Sequence, residues 1–288
     1  MEKIALMLNP QARSERAKIL RRWLKDHSGY FQVYEPSSPE DMFRVLREAT
    51  ESGVKMVAVA GGDGTLSIAA KALVGTDTIL GVIPSGTMNV FARELGIGSG
   101  NYDRALMAIL GGSVKEVDLF MVNHEPFVQM AGVGLDARAV ELTTWSLKKK
   151  WGALAYVFSA IKAIFEKQPH LLVTTDEGAV YEGRAMIMGN GSRYGGSLRV
   201  FRDADNSDGF LDVVLFKKGI FHIIKDCMIA LVNGGFDCDM SDDLFYLKVK
   251  SCLVRTEAQV PYEMDGDFKG YTPIDVHLSP SPLKVFVP

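Results

Sequence analysis

The feature that most constrains the fold is a regular alternation of short apolar segments and helix-like segments in the first part of the chain. Four runs of strand length are KIALML from Lys3, YFQVY from Tyr30, VKMVAVA from Val54 and TILGVIP from Thr78. Between them lie segments with helical periodicity, such as SPEDMFRVLREATE, in which Ser38 stands as an N-cap before Pro39. Apolar strands that alternate with helices are typical of a parallel sheet covered on both faces.

The pattern changes from the segment EVDLFMVN onward. Segments such as EPFVQMAGVG, HLLVTTD, FLDVVLFK and LFYLKVKSCLVRT have the length, alternation and turns of antiparallel strands. Helical stretches near residues 151–166 and 220–232 interrupt them. We therefore predict an α/β domain over residues 1–118, with a parallel sheet flanked by helices, and a mainly antiparallel β domain over residues 119–288.

The composition excludes several classes of protein. The 288 residues carry a formal net charge of -3, so the chain has no overall basic field for nucleic acid. The apolar start of the chain stops at Asn9-Pro10, and no apolar run approaches the roughly 20 residues that span a bilayer. Cys227, Cys238 and Cys252 lack the spacing of a metal site, so we expect buried thiols. We therefore expect a cytoplasmic protein.

Three polar loops each follow one of the predicted strands. They are NPQAR after the first strand, GGDGT after the third and PSGTMN after the fourth. Because ligands of such sheets bind beyond the carboxyl ends of the strands, we expect these loops to form one site. Glycines let bare backbone N–H groups approach a phosphate, and the following helix presents its positive dipole end there.

Asp63 is the unusual residue of GGDGT, since it places a carboxylate where an anion is expected. The loop matches neither G-x-x-x-x-G-K-[ST] nor G-x-G-x-x-G. A carboxylate among phosphates is sensible when a cation lies between them, and Mg²⁺ is the ordinary candidate. Taken alone, the loop is equally consistent with a tight strand-to-helix turn capped by Asp63.

Two acidic segments in the second part allow a chemical and a structural interpretation. FRDADNSDGFLDV places Asp203, Asp205 and Asp208 in one loop, which suits Mg²⁺ or Ca²⁺, although an acidic turn before a strand is the simpler interpretation. EMDGD places Asp265 and Asp267 around a glycine, where Asp-Gly is typical of a hairpin tip. The chemical alternative there is a general base for phosphoryl transfer.

The segment from residue 143 to residue 167 combines Trp145, Trp151, three consecutive lysines and a long apolar stretch. A basic, Trp-containing amphipathic face is what an enzyme needs to lie on an anionic bilayer. A core helix with a solvated lysine turn is an equally good interpretation.

The order of these motifs resembles one superfamily. NP after the first strand, GGDGT after the third and IPSGTMNVFARELGI after the fourth are similar to the diacylglycerol kinase and sphingosine kinase superfamily, and in particular to its bacterial soluble lipid kinases. The resemblance continues through KKKWGALAYVFSAIKAI, GNGSRYGGSLRVFRDADNSDGFLDVVLF and YEMDGDF. It therefore covers nearly the whole chain in the expected order.

The resemblance implies an N-terminal nucleotide domain similar to phosphofructokinase and NAD kinase, a C-terminal β-rich lipid domain, and ATP between them. It implies an ATP-dependent, Mg²⁺-requiring lipid kinase that phosphorylates a lipid hydroxyl, with peripheral contact with the membrane. The nucleotide-binding residues it implies are Asn9, Pro10, Gln11, Ala12, Arg13, Gly61, Gly62, Asp63, Gly64, Thr65, Gly86, Thr87 and Asn89.

The same resemblance implies the catalytic and metal-binding residues. A structural metal ion would bind Asp205, Asp208 and the backbone carbonyl of Phe210. The general base would be Asp265 first and Asp267 second, with Asp63 a candidate for that role or for magnesium. Two alternatives stay open: an NAD kinase-like enzyme, which shares GGDGT, and a lipid- or nucleotide-binding regulator without catalysis.

The chain departs from the family pattern at a few positions. Ser67 and Ile68 stand where relatives often have Asn and Glu, and Val90 stands in place of an Asp. Asp267 stands where the family usually has Glu. The sequence leaves the lipid open among diacylglycerol, phosphatidylglycerol, a sphingoid base and undecaprenol-like alcohols, and it leaves both a monomer and a homodimer open.

Overall fold

The structure is a computed structural model that describes residues 3–9, 15–142, 169–194, 196, 198–236 and 241–288. The chain divides into two compact units. The first unit contains Met1–Leu119, Gly195–Ser197 and Ser279–Pro288, and the second contains Phe120–Tyr194 and Leu198–Leu278. Among the described residues, no helix is long and apolar enough to cross a membrane.

The first unit is built on a six-stranded sheet with the order β2-β1-β3-β4-β20-β5. Strands β1 to β4 pair in parallel, β20 pairs parallel with β4, and β5 pairs antiparallel with β20. The strands are β1 (Ile4–Leu8), β2 (Phe31–Tyr34), β3 (Met56–Gly61), β4 (Ile79–Pro84), β5 (Ser113–Val117) and β20 (Leu283–Val287). Buried apolar residues fill β1, β3 and β4, which explains why these runs are continuous in the sequence.

Helices connect these strands and cover the sheet. They are α1 (Glu15–Asp26), α2 (Pro39–Glu51), α3 (Asp63–Leu73), α4 (Val90–Glu94) and α5 (Tyr102–Gly111). Helix α2 begins as its sequence predicts, since the Ser38 side chain accepts a hydrogen bond from the backbone N–H of Asp41 (3.1 Å). Leu20 on α1 and Leu46 on α2 are fully buried, so the apolar stripe of each helix forms part of the core.

The second unit contains two six-stranded antiparallel sheets and a short hairpin. The sheet orders are β10-β9-β16-β19-β6-β7 and β15-β14-β11-β8-β17-β18, and β12 pairs with β13. The strands are β6 (Phe120–Val122), β7 (Glu125–Phe127), β8 (Met130–Val133), β9 (Leu171–Thr175), β10 (Val180–Gly183), β11 (Ala185–Gly189), β12 (Arg193–Tyr194), β13 (Leu198–Arg199), β14 (Leu211–Phe216), β15 (Leu244–Val249), β16 (Ser251–Thr256), β17 (Pro261–Met264), β18 (Asp267–Tyr271) and β19 (Ile274–Leu278).

Buried residues of the second unit form two clusters. One lies between the two large sheets and includes Phe120, Phe127 and Leu215. The other includes Phe201 and Phe236 and lies beside helix α7 (Ile220–Asn233). Helix α6 (Leu135–Leu142) follows β8 and contacts β17.

The predicted fold class is confirmed: a parallel α/β unit is followed by a mainly antiparallel β unit. The structure differs from the predicted residue ranges at the C-terminal end, because β20 lies in the first sheet between β4 and β5. A short apolar strand such as LKVFV does not specify by itself which sheet it will join, so the sequence could not place it. The helix predicted near residues 151–166 lies outside the described residues.

Candidate functional site

The loops after β1, β3 and β4 lie together at the carboxyl edge of the first sheet. In the strand register Leu8 is opposite Ala60, and Gly61 is opposite Pro84, so the strands end at one level. The loops after β3 and β4 then touch through backbone: a Cβ on Gly86 would lie 2.4 Å from the Cα of Gly62. This contact requires glycine, as a Cβ is never found that close to another backbone atom.

The other two glycines of the GGDGT loop have different surroundings. A Cβ on Gly61 would overlap the Thr65 side chain at 2.4 Å, so Gly61 allows helix α3 to begin directly beside β3. A Cβ on Gly64 would meet nothing within 4 Å. The backbone N–H of Gly64 belongs to the first turn of α3, where amides have no partner within the helix. Gly64 is therefore the glycine that leaves room for a ligand.

Asp63 joins the two loops. Its Oδ1 accepts a hydrogen bond from the backbone N–H of Phe91 (3.2 Å), in the first turn of α4. Burial raises the pKa of Asp63, while hydrogen bonds from the backbone of Phe91, Val90 and Asn89 act in the opposite direction. The carboxylate thus caps the helix that follows PSGTMN, in addition to any role with a cation.

The loop PSGTMN is held by two polar side chains. Asn89 has a left-handed backbone (φ 49°), and its side chain bonds the N–H and the carbonyl of Gly86 at 2.9 and 2.8 Å. Arg16 donates from Nη1 to the carbonyls of Gly86 (2.7 Å) and Thr87 (3.1 Å). Arg16 is not among the residues predicted from the sequence; its signal there is a cation in the first turn of the helix after β1.

A small cavity of about 80 Å³ opens between the end of β1, the start of α2 and the first turns of α3. Asn9 and Thr65 line it and contact each other, with Asn9 Nδ2 donating to Thr65 Oγ1 at 3.3 Å. Ile68 lines it as well, at the position where relatives often have Glu, together with residues from the start of α2. The cavity is accordingly more apolar than a Glu at that position would make it.

In the second unit, Asp265 and Gly266 form the two-residue turn between β17 and β18, both with positive φ (51° and 84°). The Asp265 carboxylate accepts hydrogen bonds from the backbone N–H groups of Val128 (3.0 Å), Gln129 (2.9 Å) and Met130 (3.2 Å). Asp265 therefore fixes the connection from β7 to β8.

Asp267, two residues later, has the opposite surroundings. It begins β18 and is exposed, and no hydrogen bond or ion pair engages its carboxylate within the described part of the chain. Of the two acids predicted as general base, Asp265 is thus engaged by backbone amides and Asp267 is accessible.

A buried acidic cluster lies next to this hairpin. Glu263 is fully buried on β17, where its Oε2 accepts from the N–H of Gly266 (2.8 Å) and its Oε1 lies 3.4 Å from the Tyr194 hydroxyl. The Tyr194 hydroxyl also donates to Asp136 Oδ2. A Cβ on Gly132 would lie 2.8 Å from Asp136 Oδ2 and 3.2 Å from Glu263 Oε1, so Gly132 makes room for both acids.

Ionisation of both carboxyl groups of this cluster, on Asp136 and Glu263, is energetically unfavourable. Burial raises the pKa of Asp136, and burial together with the Asp136 charge raises the pKa of Glu263 well above its ordinary value. Burial also raises the pKa of the Tyr194 hydroxyl, so Tyr194 remains a donor. Both shifts favour a proton on the pair over two ionised carboxylates.

Asp136 and Tyr194 also line an apolar cavity of about 320 Å³ in the second unit. Most of its wall comes from aliphatic and aromatic side chains of β11, β14, α6 and α7. The residues that line it are Leu135, Asp136, Ala139, Ala185, Met186, Ile187, Tyr194, Leu198, Arg199, Val200, Phe216, Ile223, Cys227, Ala230, Leu231 and Phe236. An apolar cavity with a few convergent polar groups is the usual form of a small-molecule site.

The acidic turn predicted to bind a metal is organised by its own hydrogen bonds. Asp205 Oδ1 accepts from the Ser207 hydroxyl (2.7 Å), and Asp208 Oδ1 accepts from the N–H of Phe210 (3.0 Å). The Lys248 ammonium lies 2.8 Å from Asp208 Oδ2. Among the residues described, no group of three or more His, Cys, Asp or Glu side chains could hold a metal ion.

In this arrangement the Lys248 ammonium pairs with Asp208, and the metal site at Asp205, Asp208 and Phe210 stays a prediction. The binding of magnesium by Asp63 also stays a prediction, as do the nucleotide-binding roles of the loop residues. Four of the predicted nucleotide-binding residues (Pro10, Gln11, Ala12 and Arg13) lie outside the described residues, and so does the basic segment from residue 143 to residue 167.

Asp136, Tyr194 and Glu263 are not among the site residues predicted from the sequence. Tyr194 is 58 residues from Asp136 and 69 from Glu263, so no local pattern connects them. A weak signal exists in PYEM, where Glu263 precedes the buried Met264 on a strand.

Comparison with known proteins identifies the two parts of the chain. Residues 3–122 match the model of the diacylglycerol kinase catalytic domain. Residues 129–287 match the model of the YegS C-terminal NAD kinase beta sandwich-like domain. Both matches agree with the order of the two units.

Individual relatives cover most of the chain. A diacylglycerol kinase of Bacillus subtilis is 26% identical over 95% of this chain and 92% of its own. An uncharacterised protein of Synechocystis is 29% identical over 86% of this chain, which spans only 59% of that protein's length. A crystal structure of a diacylglycerol kinase from Bacillus anthracis has a TM-score of 0.76 and 24% identity, and the likeness covers 100% of this chain and 97% of that one.

Proposed function

Because the chain belongs to the family of bacterial diacylglycerol and lipid kinases, we propose that it transfers the γ-phosphate of ATP to a hydroxyl group of a membrane-derived lipid such as diacylglycerol. The observation that carries the proposal is the 320 Å³ cavity of the second unit, whose wall is almost wholly apolar. A cavity of that kind is complementary to a hydrocarbon chain. It is not complementary to a nucleotide as phosphate acceptor, which an NAD kinase-like enzyme would bind, because a nucleotide would need many polar partners.

ATP binds the first unit in this proposal. The phosphates lie against the N–H groups at the start of α3, beside Gly64, with Thr65 and Thr87 supplying hydroxyl groups. The glycine contact between the two loops and the Asp63 cap hold these donors in place before the nucleotide arrives. The cavity lined by Asn9 and Ile68 accepts an uncharged part of the nucleotide.

The lipid binds the second unit. Its acyl chain occupies the cavity, and the polar groups of its head lie at Asp136 and Tyr194, the acidic part of the wall. Since the Tyr194 hydroxyl donates to Asp136 and the raised pKa values of Asp136 and Glu263 favour a proton on that pair, the cluster offers acceptor and donor atoms at fixed positions. A hydroxyl group, which both donates and accepts, is complementary to such a wall.

Phosphoryl transfer then needs one carboxylate to receive the proton of the attacking hydroxyl. We assign this role to Asp267, because Asp265 is already bonded to three backbone amides. The hydroxyl oxygen attacks the γ-phosphorus, ADP leaves, and the proton passes to Asp267. Mg²⁺ bound to ATP would neutralise phosphate charge in the reaction.

The test combines labelled ATP with mixed micelles of diacylglycerol and the purified chain. We expect a labelled lipid phosphate from the unaltered protein and none from Asp63→Ala, which removes the cap of α4 and the loop carboxylate. An Ala139→Phe variant, which fills the cavity, should lose the preference for long-chain over dihexanoyl glycerol while its KM for ATP stays unchanged. Absence of any labelled lipid, with a folded protein and an extract of membrane lipids, would leave the non-catalytic regulator as the better assignment.

A further inference from the structure

Helix α7 has an unusual distribution of apolar side chains, because its solvent side is also apolar. Phe221 and Val232 are each 84% exposed, Met228 is 58%, Leu231 is 51% and Ile224 is 42% exposed. Their spacing places these five residues along one side of the helix. We call this set the outer face of α7; exposed apolar patches of such extent mark sites of interaction.

The inner side of the same helix forms one wall of the apolar cavity. Ile223, Cys227 and Ala230 line the cavity from α7, and Ile223 and Ala230 are buried. Leu231 belongs to both surfaces, since it lines the cavity and is half exposed. Leu198 on β13 lines the cavity and is also half exposed. An apolar surface therefore continues from the outer face of α7 into the cavity.

The charges around the outer face favour an anionic partner. The only acid within α7 is Asp226, which is fully buried. His222 and Lys225 are exposed on the helix, and Lys218 precedes it. Arg199 is exposed at the cavity wall, and no described acid forms an ion pair with it. Lys218 and Lys225 both pair with Asp243, and the Lys225 ammonium also lies 3.4 Å from Asp226 Oδ1. The helix itself thus presents apolar side chains without an exposed carboxylate, and the cation beside it that pairs with no described acid is Arg199.

We propose that the outer face of α7 docks onto an anionic lipid bilayer and that the cavity behind it takes acyl chains directly from the membrane. This inference rests on the proposed lipid kinase function. A helix of this kind lies in the interface with its apolar side about 5–10 Å deep, and lysines near it attract acidic lipids. A protein partner would also cover the outer face of α7, but it would not explain why the apolar surface continues from that face into the cavity.

The first experiment measures sedimentation of the purified chain with vesicles of phosphatidylcholine alone or mixed equally with phosphatidylglycerol. We expect binding to the mixed vesicles and at least tenfold weaker binding for the double variant Phe221→Glu, Val232→Glu. Neither residue lines the cavity. The matched control is Met107→Glu on α5, a residue 71% exposed in the first unit, which should bind as the unaltered chain does. Equal binding of the double variant and the control would overturn the proposal.

The same variants separate this proposal from the proposed function and from other occupants. The double variant should keep its activity on monomeric dihexanoyl glycerol and lose its activity on long-chain diacylglycerol in vesicles. If neither the unaltered chain nor any variant phosphorylates a lipid, but vesicle binding differs as stated, then only the proposed function fails. A lower Tm of the double variant would show that another part of the chain covers the face. A change from dimer to monomer by light scattering, with vesicle binding intact, would identify the occupant as a second copy. Either result overturns the bilayer assignment.

Discussion

The backbone of Gly86 touches the backbone of Gly62, at a distance that leaves no room for a Cβ on Gly86. A Cβ there would lie 2.4 Å from the Gly62 Cα and 2.8 Å from Asn89 Oδ1. Two loops that are separate in the sequence are thereby fixed to each other where the phosphates are proposed to bind. The contact explains why both loops contain glycine.

Gly86→Ala should lower the free energy of unfolding of the first unit by about 1–3 kcal/mol, because the clash is with backbone rather than with a flexible side chain. Gly64→Ala is the matched control, since a Cβ at Gly64 meets nothing within 4 Å. Denaturant unfolding measures the stability of both variants, and titration with ATP measures their affinity for the nucleotide. We expect Gly64→Ala to fold normally and to bind ATP more weakly; equal stability of both variants would contradict the assigned contact.

Much of the first unit could be predicted because its determinants are local. Buried strands read as continuous apolar runs, Ser38 and Pro39 specify the start of α2, and the loops after β3 and β4 must lie at one sheet edge once the strands are parallel. The position of β20 could not be predicted, because its partner strands β4 and β5 are far from it in the sequence. Long-range pairing depends on packing that a single strand does not encode.

The candidate site shows the same division. Asp-Gly at residues 265 and 266 predicts a hairpin turn, and the structure has one there. The sequence could not distinguish Asp265 from Asp267, since the difference lies in the backbone amides of Val128 and its neighbours, which approach only in the fold. Arg199 and Tyr194 likewise gain their significance from the cavity that they line.

Asp265 and Asp267 should respond differently to the same substitution. Asp265→Asn keeps the left-handed turn but removes one acceptor oxygen from a group of three amides, so we expect a loss of about 1–2 kcal/mol of unfolding free energy. Asp267→Asn should leave the Tm unchanged and lower kcat by about 10²-fold or more. Glu257→Gln, an exposed acid of the second unit, is the control for both. A larger kcat loss from Asp265→Asn at unchanged Tm would reverse the assignment of the base.

Glu263→Gln should raise the Tm at pH 8 by roughly 2–4 °C. Glu263 has a raised pKa in the folded chain, so the folded state holds a proton that the unfolded state releases. Stability from this group is present below its unfolded pKa and is lost as the pH rises through the folded pKa. A Gln retains an oxygen for the Gly266 N–H and gains an NH₂ group for Asp136.

The measurement for Glu263→Gln is a series of thermal unfolding curves between pH 5 and pH 9, with Glu257→Gln alongside. The advantage of Glu263→Gln should grow with pH, whereas Glu257→Gln should follow the unaltered chain. A Tm below that of the unaltered chain across the range would contradict the raised pKa assigned to Glu263.

Lys248→Met should make the stability of the second unit more sensitive to pH. Burial raises the pKa of Asp212 to about 6, against the hydrogen bond from Tyr246 (2.6 Å) and the Lys248 charge, whose Nζ lies 3.9 Å from Asp212 Oδ2. With a folded pKa above the unfolded one, the contribution of Asp212 declines as the pH rises from about 4 through about 6. Without Lys248 the folded pKa rises further, so the decline becomes deeper and extends to higher pH.

Denaturant unfolding of Lys248→Met between pH 4.5 and pH 8 tests this expectation, with Lys284→Met as the control because Lys284 pairs with an exposed acid, Asp77, in the first unit. Millimolar Mg²⁺ added to Lys248→Met then tests the predicted metal site, because the ammonium no longer competes for Asp208. A divalent ion at this turn would restore part of the lost stability at pH 8 and have no effect on the control. Parallel pH profiles for the two lysine variants would show that Lys248 does not act on Asp212. If Mg²⁺ has no effect on the stability of Lys248→Met, the turn is not a metal site.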